Sequence, residues 1–155
     1  MIFSKSFGYA VRGVLYIAVM QDEKKYVHVE EIASSLMVPR HFMGKILKRL
    51  VKEKLIASSK GPSGGFTVND STLDLPLIRL VDITDGLQGF GNCVLRVKAC
   101  NEANPCPLHY QVEGVKHKLK SMLYETTIGD LLKEDKKDFI KSISTGFDIE
   151  PVLRD

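Results

Sequence analysis

Apolar residues recur at helical spacing over the first twenty positions, at Tyr9, Gly13, Tyr16, Ile17 and Met20. This predicts a helix to about Met20, with Ser6 as its N-cap. The polar run Gln21 to Lys25 ends it, and the alternation over Tyr26 to Val29 predicts a short strand. Glu30 and Glu31 open a second helix, where carboxylates suit the positive end of the helix dipole. Its apolar face is Ile32, Ala33 and Leu36. After Met37 and Val38, Pro39 fits the first position of a third helix. There Met43, Ile46, Leu47 and Leu50 face a core, while His41, Lys45, Lys48 and Lys52 fall on another face with Gly44 among them. Two short helices across a tight turn, the second with a basic stripe, make a helix-turn-helix pattern.

The pattern then changes to that of a hairpin. Leu55 to Ser59 reads as a strand, Lys60 to Gly65 as a turn and Phe66 to Asn69 as a returning strand. A hairpin directly after a recognition helix is a wing. Its glycines at 61, 64 and 65 permit positive φ and close approach of the backbone to a surface. Lys60 stands at the tip, placed to meet phosphate or a minor groove. An ordinary hairpin turn is the plainer alternative. A nucleotide-phosphate cradle needs a strand–loop–helix with its lysine at the end of the loop; here Lys60 precedes the glycines and the loop joins two strands. Ser71 to Gly86 begins with cap residues, becomes helical near Pro76 and stops at Gly86.

Farther on, Leu108, Val112, Val115, Leu119 and Met122 form a heptad seam on a helix from about Pro107 to Tyr124. Such a seam can pack inside a domain. Beyond a complete winged helix and flanked by Lys116, Lys118 and Lys120, it reads instead as a dimerisation helix. Two-fold symmetry would set two recognition helices on successive turns of a palindromic operator. Thr127 and Asp130 give a start signal for a short terminal helix with Phe139, Ile140 and Ile143. The expected fold is mainly α with a small β-wing. It divides into a winged helix-turn-helix DNA-binding domain (1–88), a cysteine-rich loop (89–106), a dimerisation helix with a C-terminal helix (107–146) and a tail without pattern (147–155).

Composition adds bounds. With 155 residues, 44% hydrophobic and 26% charged, the chain is globular and sized for one domain with an accessory element. No apolar run approaches a membrane span, and no membrane partner is expected. The apolar N-terminal segment is interrupted by Arg12 and lacks a cleavage pattern, which reads as a mature helix and a cytoplasmic location. The net charge of +3 says little by itself. Its concentration on the third helix and wing points to double-stranded DNA, against the alternative of a solvated lysine face. The candidate DNA contacts are Arg40, His41, Lys45, Lys48, Lys52, Lys60, Ser63 and Gly64.

Reactive chemistry is concentrated in Gly91 to His109, which holds every cysteine in the chain. Six residues separate Cys93 from Cys100, five separate Cys100 from Cys106, and two separate Cys106 from His109. Thiolates and imidazole are soft or borderline ligands that can converge on one metal. An odd number of cysteines argues against a secreted disulfide scaffold. The candidate ligands are Cys93, Cys100, Cys106 and His109. A structural Cys₃His zinc site, an iron–sulfur cluster and a metal-free thiol sensor aided by Arg96 or Lys98 all stand as readings. His41 reads as a DNA contact and His117 as a solvated helix residue. Asp82 and Asp85 read as solvated, not as a catalytic pair, and there is no nucleophile–base motif or cofactor fingerprint, so no enzyme is expected.

Together, Tyr9-Ala10-Val11, the helix-turn-helix over 29–55, KGPSGGF (Lys60 to Phe66), the three-cysteine loop and TIGDLL (Thr127 to Leu132) resemble the Rrf-two family of bacterial winged-helix transcriptional regulators. The likeness runs from the N-terminus to about Leu132, and the wing signature is its most specific short motif. It implies a homodimeric DNA-binding regulator whose cysteines hold an iron–sulfur cluster responsive to cluster status, redox state or nitric oxide. Some relatives have no cluster. The loop here has one residue more than is usual between the first two cysteines. Relatives that take an acidic ligand from the first helix do so near Gly8, which has no ligand atom. His109 matches the histidine ligand of the family's cluster regulators, which tilts the expectation toward 2Fe–2S over 4Fe–4S. His28, from a partner subunit, is the lesser candidate.

Overall fold

The computed structural model describes residues 3–144. The tail at 147–155 and the last two residues of the 107–146 segment lie outside the described residues. The fold is mainly helical with one two-stranded sheet, as the apolar pattern requires.

Helix α1 (Lys5–Met20) is central to the body and buries seven residues, from Ala10 to Val19. Its N-cap is Ser4, not Ser6: the Ser4 hydroxyl accepts from the Phe7 N–H at 3.2 Å. Asp85 in turn accepts from the Ser4 N–H at 2.7 Å and from its hydroxyl, tying this end of α1 to a distant turn. Helices α2 (Val29–Ser35) and α3 (Arg40–Lys52) pack on α1 and on each other. Between them Met37 takes φ 53°, a strained conformation for a non-glycine residue. Pro39 is the cap residue of α3, one place earlier than expected. Met43, Leu47 and Leu50 are fully buried, and Ile46 is half-buried.

Strands β1 (Ala57–Ser59) and β2 (Gly65–Thr67) pair antiparallel, Ser58 opposite Phe66. The expected strand over Tyr26 to Val29 is reduced to a bridge between Val27 and Phe66, with reciprocal N–H···O bonds of 2.9 and 2.8 Å. A single paired residue suffices because α2 begins at Val29. This third edge crowds the wing root: a Cβ at Gly65, whose φ is +134°, would lie 2.5 Å from the Val27 carbonyl oxygen. Only glycine fits there.

Asn69 and Thr72 form a capping box that starts a single turn, α4 (Asp70–Leu73), where the sequence predicts only turn and cap residues. Helix α5 (Ile78–Thr84) follows and packs on α1 and α3; Gly86, at φ +74°, stops it. The long helix α6 (His109–Glu125) joins the body at its C-terminal end. There Leu77 N–H donates to Thr126 O and Ile128 N–H to Leu75 O, both at 2.9 Å. The Thr127–Asp130 box forms, with Asp130 accepting from the Thr127 N–H at 2.8 Å, but it heads a 3₁₀ turn over Gly129–Leu131. The terminal helix α7 (Lys136–Ser144) begins later and lies on α1, burying Phe139. Arg12 donates to the Ile143 carbonyl at 3.0 Å. Leu123, Ile128 and Phe139 are continuous with the same apolar core as α1, α3 and α5. Among the described residues no helix is long and apolar enough to cross a membrane.

Candidate metal centre and nucleic-acid interface

The cysteine loop is built from tight turns, not regular elements. Arg96 N–H donates to Cys93 O at 2.9 Å, with Arg96 itself at φ 57°, and Cys100 N–H donates to Val97 O at 3.2 Å. Asn101 closes the next turn, its Oδ1 accepting from the Ala103 and Asn104 N–H groups at 2.9 Å each. Asn104 reaches back to the Ala99 carbonyl at 3.1 Å, and Lys116 on α6 donates to the Asn92 carbonyl. These bonds fold the loop onto the N-terminal end of α6.

The folding brings the three thiols together. The sulfurs of Cys93, Cys100 and Cys106 all lie within 4.8 Å of one another, and Cys93 and Cys106 are 3.5 Å apart. All three cysteines are half-buried and none is in a disulfide. The Cys93 thiol is lowered to about 7, first by the Val97 backbone N–H and further by Cys106 and the Leu95 N–H. Cys106 is raised, mainly by burial and then by sharing protons with its neighbours. The first thiolate of the pair therefore forms at Cys93, the species a metal binds. His109 Nδ1 lies 3.2 Å from Cys100 Sγ but outside the set in which every donor is within 4.8 Å of every other. His28 is occupied elsewhere, its Nε2 3.0 Å from the Pro62 carbonyl. A donor set of three soft sulfurs fits zinc or iron. With metal–sulfur bonds of about 2.3 Å, one tetrahedral ion places its sulfurs roughly 3.8 Å apart, close to the spacing here.

The basic face is separate. Lys45, Lys48, Lys52 and His41 are exposed on α3, away from its buried side. None of the three lysines is in an ion pair among the described residues. Arg40 differs: Glu30 holds its guanidinium at 2.6 Å from Nη2 and 2.8 Å from Nε. That pairing lowers the Glu30 carboxyl and neutralises Arg40 locally. On the wing Lys60 and Ser63 are exposed, whereas Gly64 is buried. A Cβ on Gly64 would sit 2.2 Å from the Ser59 carbonyl oxygen, so the turn itself requires glycine there. His28 braces the wing tip against the start of α2 through Pro62.

Residues 3–134 match the family described as Rrf2, iron-dependent transcriptional regulator. The chain belongs to the Rrf2 family. A chain of Aquifex aeolicus that bears the name of an HTH-type transcriptional regulator is 32% identical over 139 residues, covering 88% of this chain and 95% of that one. The HTH-type transcriptional regulator IscR of Vibrio atlanticus is 23% identical over 146 residues, covering 90% and 83%. Among solved structures, CymR, the global cysteine regulator of B. subtilis, superposes with a TM-score of 0.66 at 17% identity, covering 83% of this chain and 94% of that one. The winged-helix fold is shared, and Rrf2 proteins are transcriptional regulators that bind DNA, not enzymes.

Within this Rrf2 chain some placements were not legible in the stripe of lysines. Arg49 and Phe42 flank that stripe on the side facing α1, Phe42 at 48% exposed and in tilted ring contact with His41 at 4.1 Å between ring centres. The seam is largely open in the single chain: Leu108, Val115 and Met122 are exposed, Val112 and Leu119 half-buried. The one α6 residue that is buried, Leu123, lies next to the seam and faces the chain's own body.

Proposed function

We propose that this Rrf2 regulator works as a homodimer on a palindromic site, with the cysteine loop as its sensor. The convergence of three thiols at the foot of an exposed heptad helix carries the reading. Cys93, Cys100 and Cys106 would hold an iron–sulfur cluster, with His109 beside Cys100 as the fourth candidate. A cluster supplies redox chemistry whose potential depends on ligand type and exposure. The family's description as iron-dependent and the resemblance to cluster-bearing members support it.

The chain's own residues do the coupling. Ligation pins Cys93 to Cys106 against α6, where Lys116 already holds Asn92. The far end of α6 is fixed to the α5 segment through Leu77 and Ile128, and α5 packs on α1 and α3. A change in the loop therefore alters how two α6 helices meet and how two α3 helices are spaced. Lys45, Lys48, Lys52 and His41 would face the major groove, and Lys60 and Ser63 the flanking backbone. Mutating Lys48 to alanine tests the DNA half: the expected result is weaker binding with a shallower salt dependence. An unchanged salt slope would remove α3 from the interface.

The sulfur spacing favours a second reading, a single structural zinc ion. Zinc would hold the loop rigid without redox response. Protein purified anaerobically separates the two: iron with acid-labile sulfide and visible absorbance for the cluster, colourless stoichiometric zinc for the alternative.

A further inference from the structure

A groove of about 490 Å³ lies beside the recognition helix, away from the cysteine loop. Helix α1 contributes Lys5 and Tyr9, α3 contributes Phe42, Lys45 and Arg49, and α5 contributes Ile83. The volume falls in the range of small-molecule sites, which combine apolar walls with a few convergent polar groups. The apolar surface here comes from the two aromatic rings together with Pro39, Ile46, Leu50 and Ile83. Its three cations are exposed, and none has an ion-pair partner among the described residues. Among the described residues no carboxylate lines the groove. Asp85, next to it in sequence, is engaged by the Ser4 N–H and hydroxyl.

We propose that this groove is a second ligand site, for a small organic anion with an apolar body. A carboxylate or phosphate head would meet Arg49, Lys45 and Lys5, with charge-assisted hydrogen bonds from the guanidinium. The body would lie against Tyr9, Phe42 and Ile83. A bare phosphate of a DNA backbone needs the cations but not the apolar walls. Lys45 belongs both to the groove and to the outward face of α3. A ligand that takes Lys45 and Arg49 therefore withdraws positive charge from DNA, so ligand and duplex weaken each other by the same factor. That coupling rests on the function proposed above; occupancy of the groove does not.

The test is calorimetric titration of the full-length protein with 2-naphthoate, its neutral amide 2-naphthamide, and inorganic phosphate. The expected result is saturable binding of one naphthoate per chain. The amide, phosphate, and naphthoate on Arg49→Met or Lys5→Gln protein should each bind weaker, on the order of tenfold for loss of a charge-assisted contact. Circular dichroism of both variants establishes that they are folded. Equal binding of amide and carboxylate, or naphthoate affinity unchanged by Arg49→Met, overturns the site. So does absence of naphthoate binding while Arg49→Met weakens a random-sequence duplex, which would make the groove a DNA-phosphate contact and leave the proposed function standing. Naphthoate bound by a protein that binds no duplex would uphold the site and overturn the DNA reading instead.

Discussion

Helices α1 and α6 are nearly equal in length and oppositely built. The 16 residues of α1 bury seven of their number in the chain's own core, while the 17 of α6 bury only Leu123. Val14, Ile17, Met43 and Leu47 have no exposed surface at all; Val115 is 61% exposed and Tyr110 66%. Buried apolar area is the main stabilising term in folding. The winged-helix body therefore supplies its own stability. The loop and α6 instead present exposed apolar surface and three converging thiols, which the proposed function assigns to a second chain and a metal. On the proposed function the regulator divides into a self-supporting reading head and an arm that takes the input, the arrangement expected where a signal must change shape.

Substitutions on the two sides should behave in opposite ways. The largest effect is expected at Leu47, where truncation to alanine leaves a cavity under the recognition helix and costs about 2–5 kcal/mol in denaturant unfolding. Next is Gly65→Ala, which must place a methyl group against the Val27 carbonyl at positive φ. It should cost about 1–3 kcal/mol and weaken duplex binding through the wing. Val115→Asp should leave the stability of the body within about 0.5 kcal/mol while sedimentation shows the dimer dissociating. A large fall in melting temperature there would mean that α6 belongs to the folding unit. Smallest is the contrast on α3: Lys48→Ala should lower the salt slope of duplex binding by about one, and Arg40→Ala by less, because Glu30 already pairs with Arg40. Equal slopes would show that this ion pair opens on DNA.

The body was the more legible part, for the same physical reason. Helical periodicity reports burial against the chain's own core, so Met43, Leu47 and Leu50 stood out, and the glycine-rich turn announced the wing. Boundaries shifted where tertiary contacts intervened. Ser4 replaced Ser6 as cap alongside its bonds to Asp85, and the Thr127–Asp130 box stopped at a 3₁₀ turn after Ile128 paired with Leu75. Arg12 read only as a break in an apolar run, yet it holds the α7 carbonyl of Ile143. Spacing marks the three cysteines and His109 as candidate ligands; the structure brings the three sulfurs together and sets the His109 ring beside Cys100, outside the set of mutually close donors. The seam residues 108, 112, 115, 119 and 122 were visible as a heptad. Leu123, one step round the helix, was not, because its burial depends on a long-range contact with the body.

The sensor assignment is tested most directly by metal and sulfide analysis of anaerobically purified wild-type and Cys106→Ser protein. Iron and acid-labile sulfide are expected together in the wild type, with visible absorbance, and both are lost in Cys106→Ser while the melting of the winged-helix body is retained. A colourless wild-type protein carrying stoichiometric zinc, or iron retained undiminished in Cys106→Ser, would contradict it.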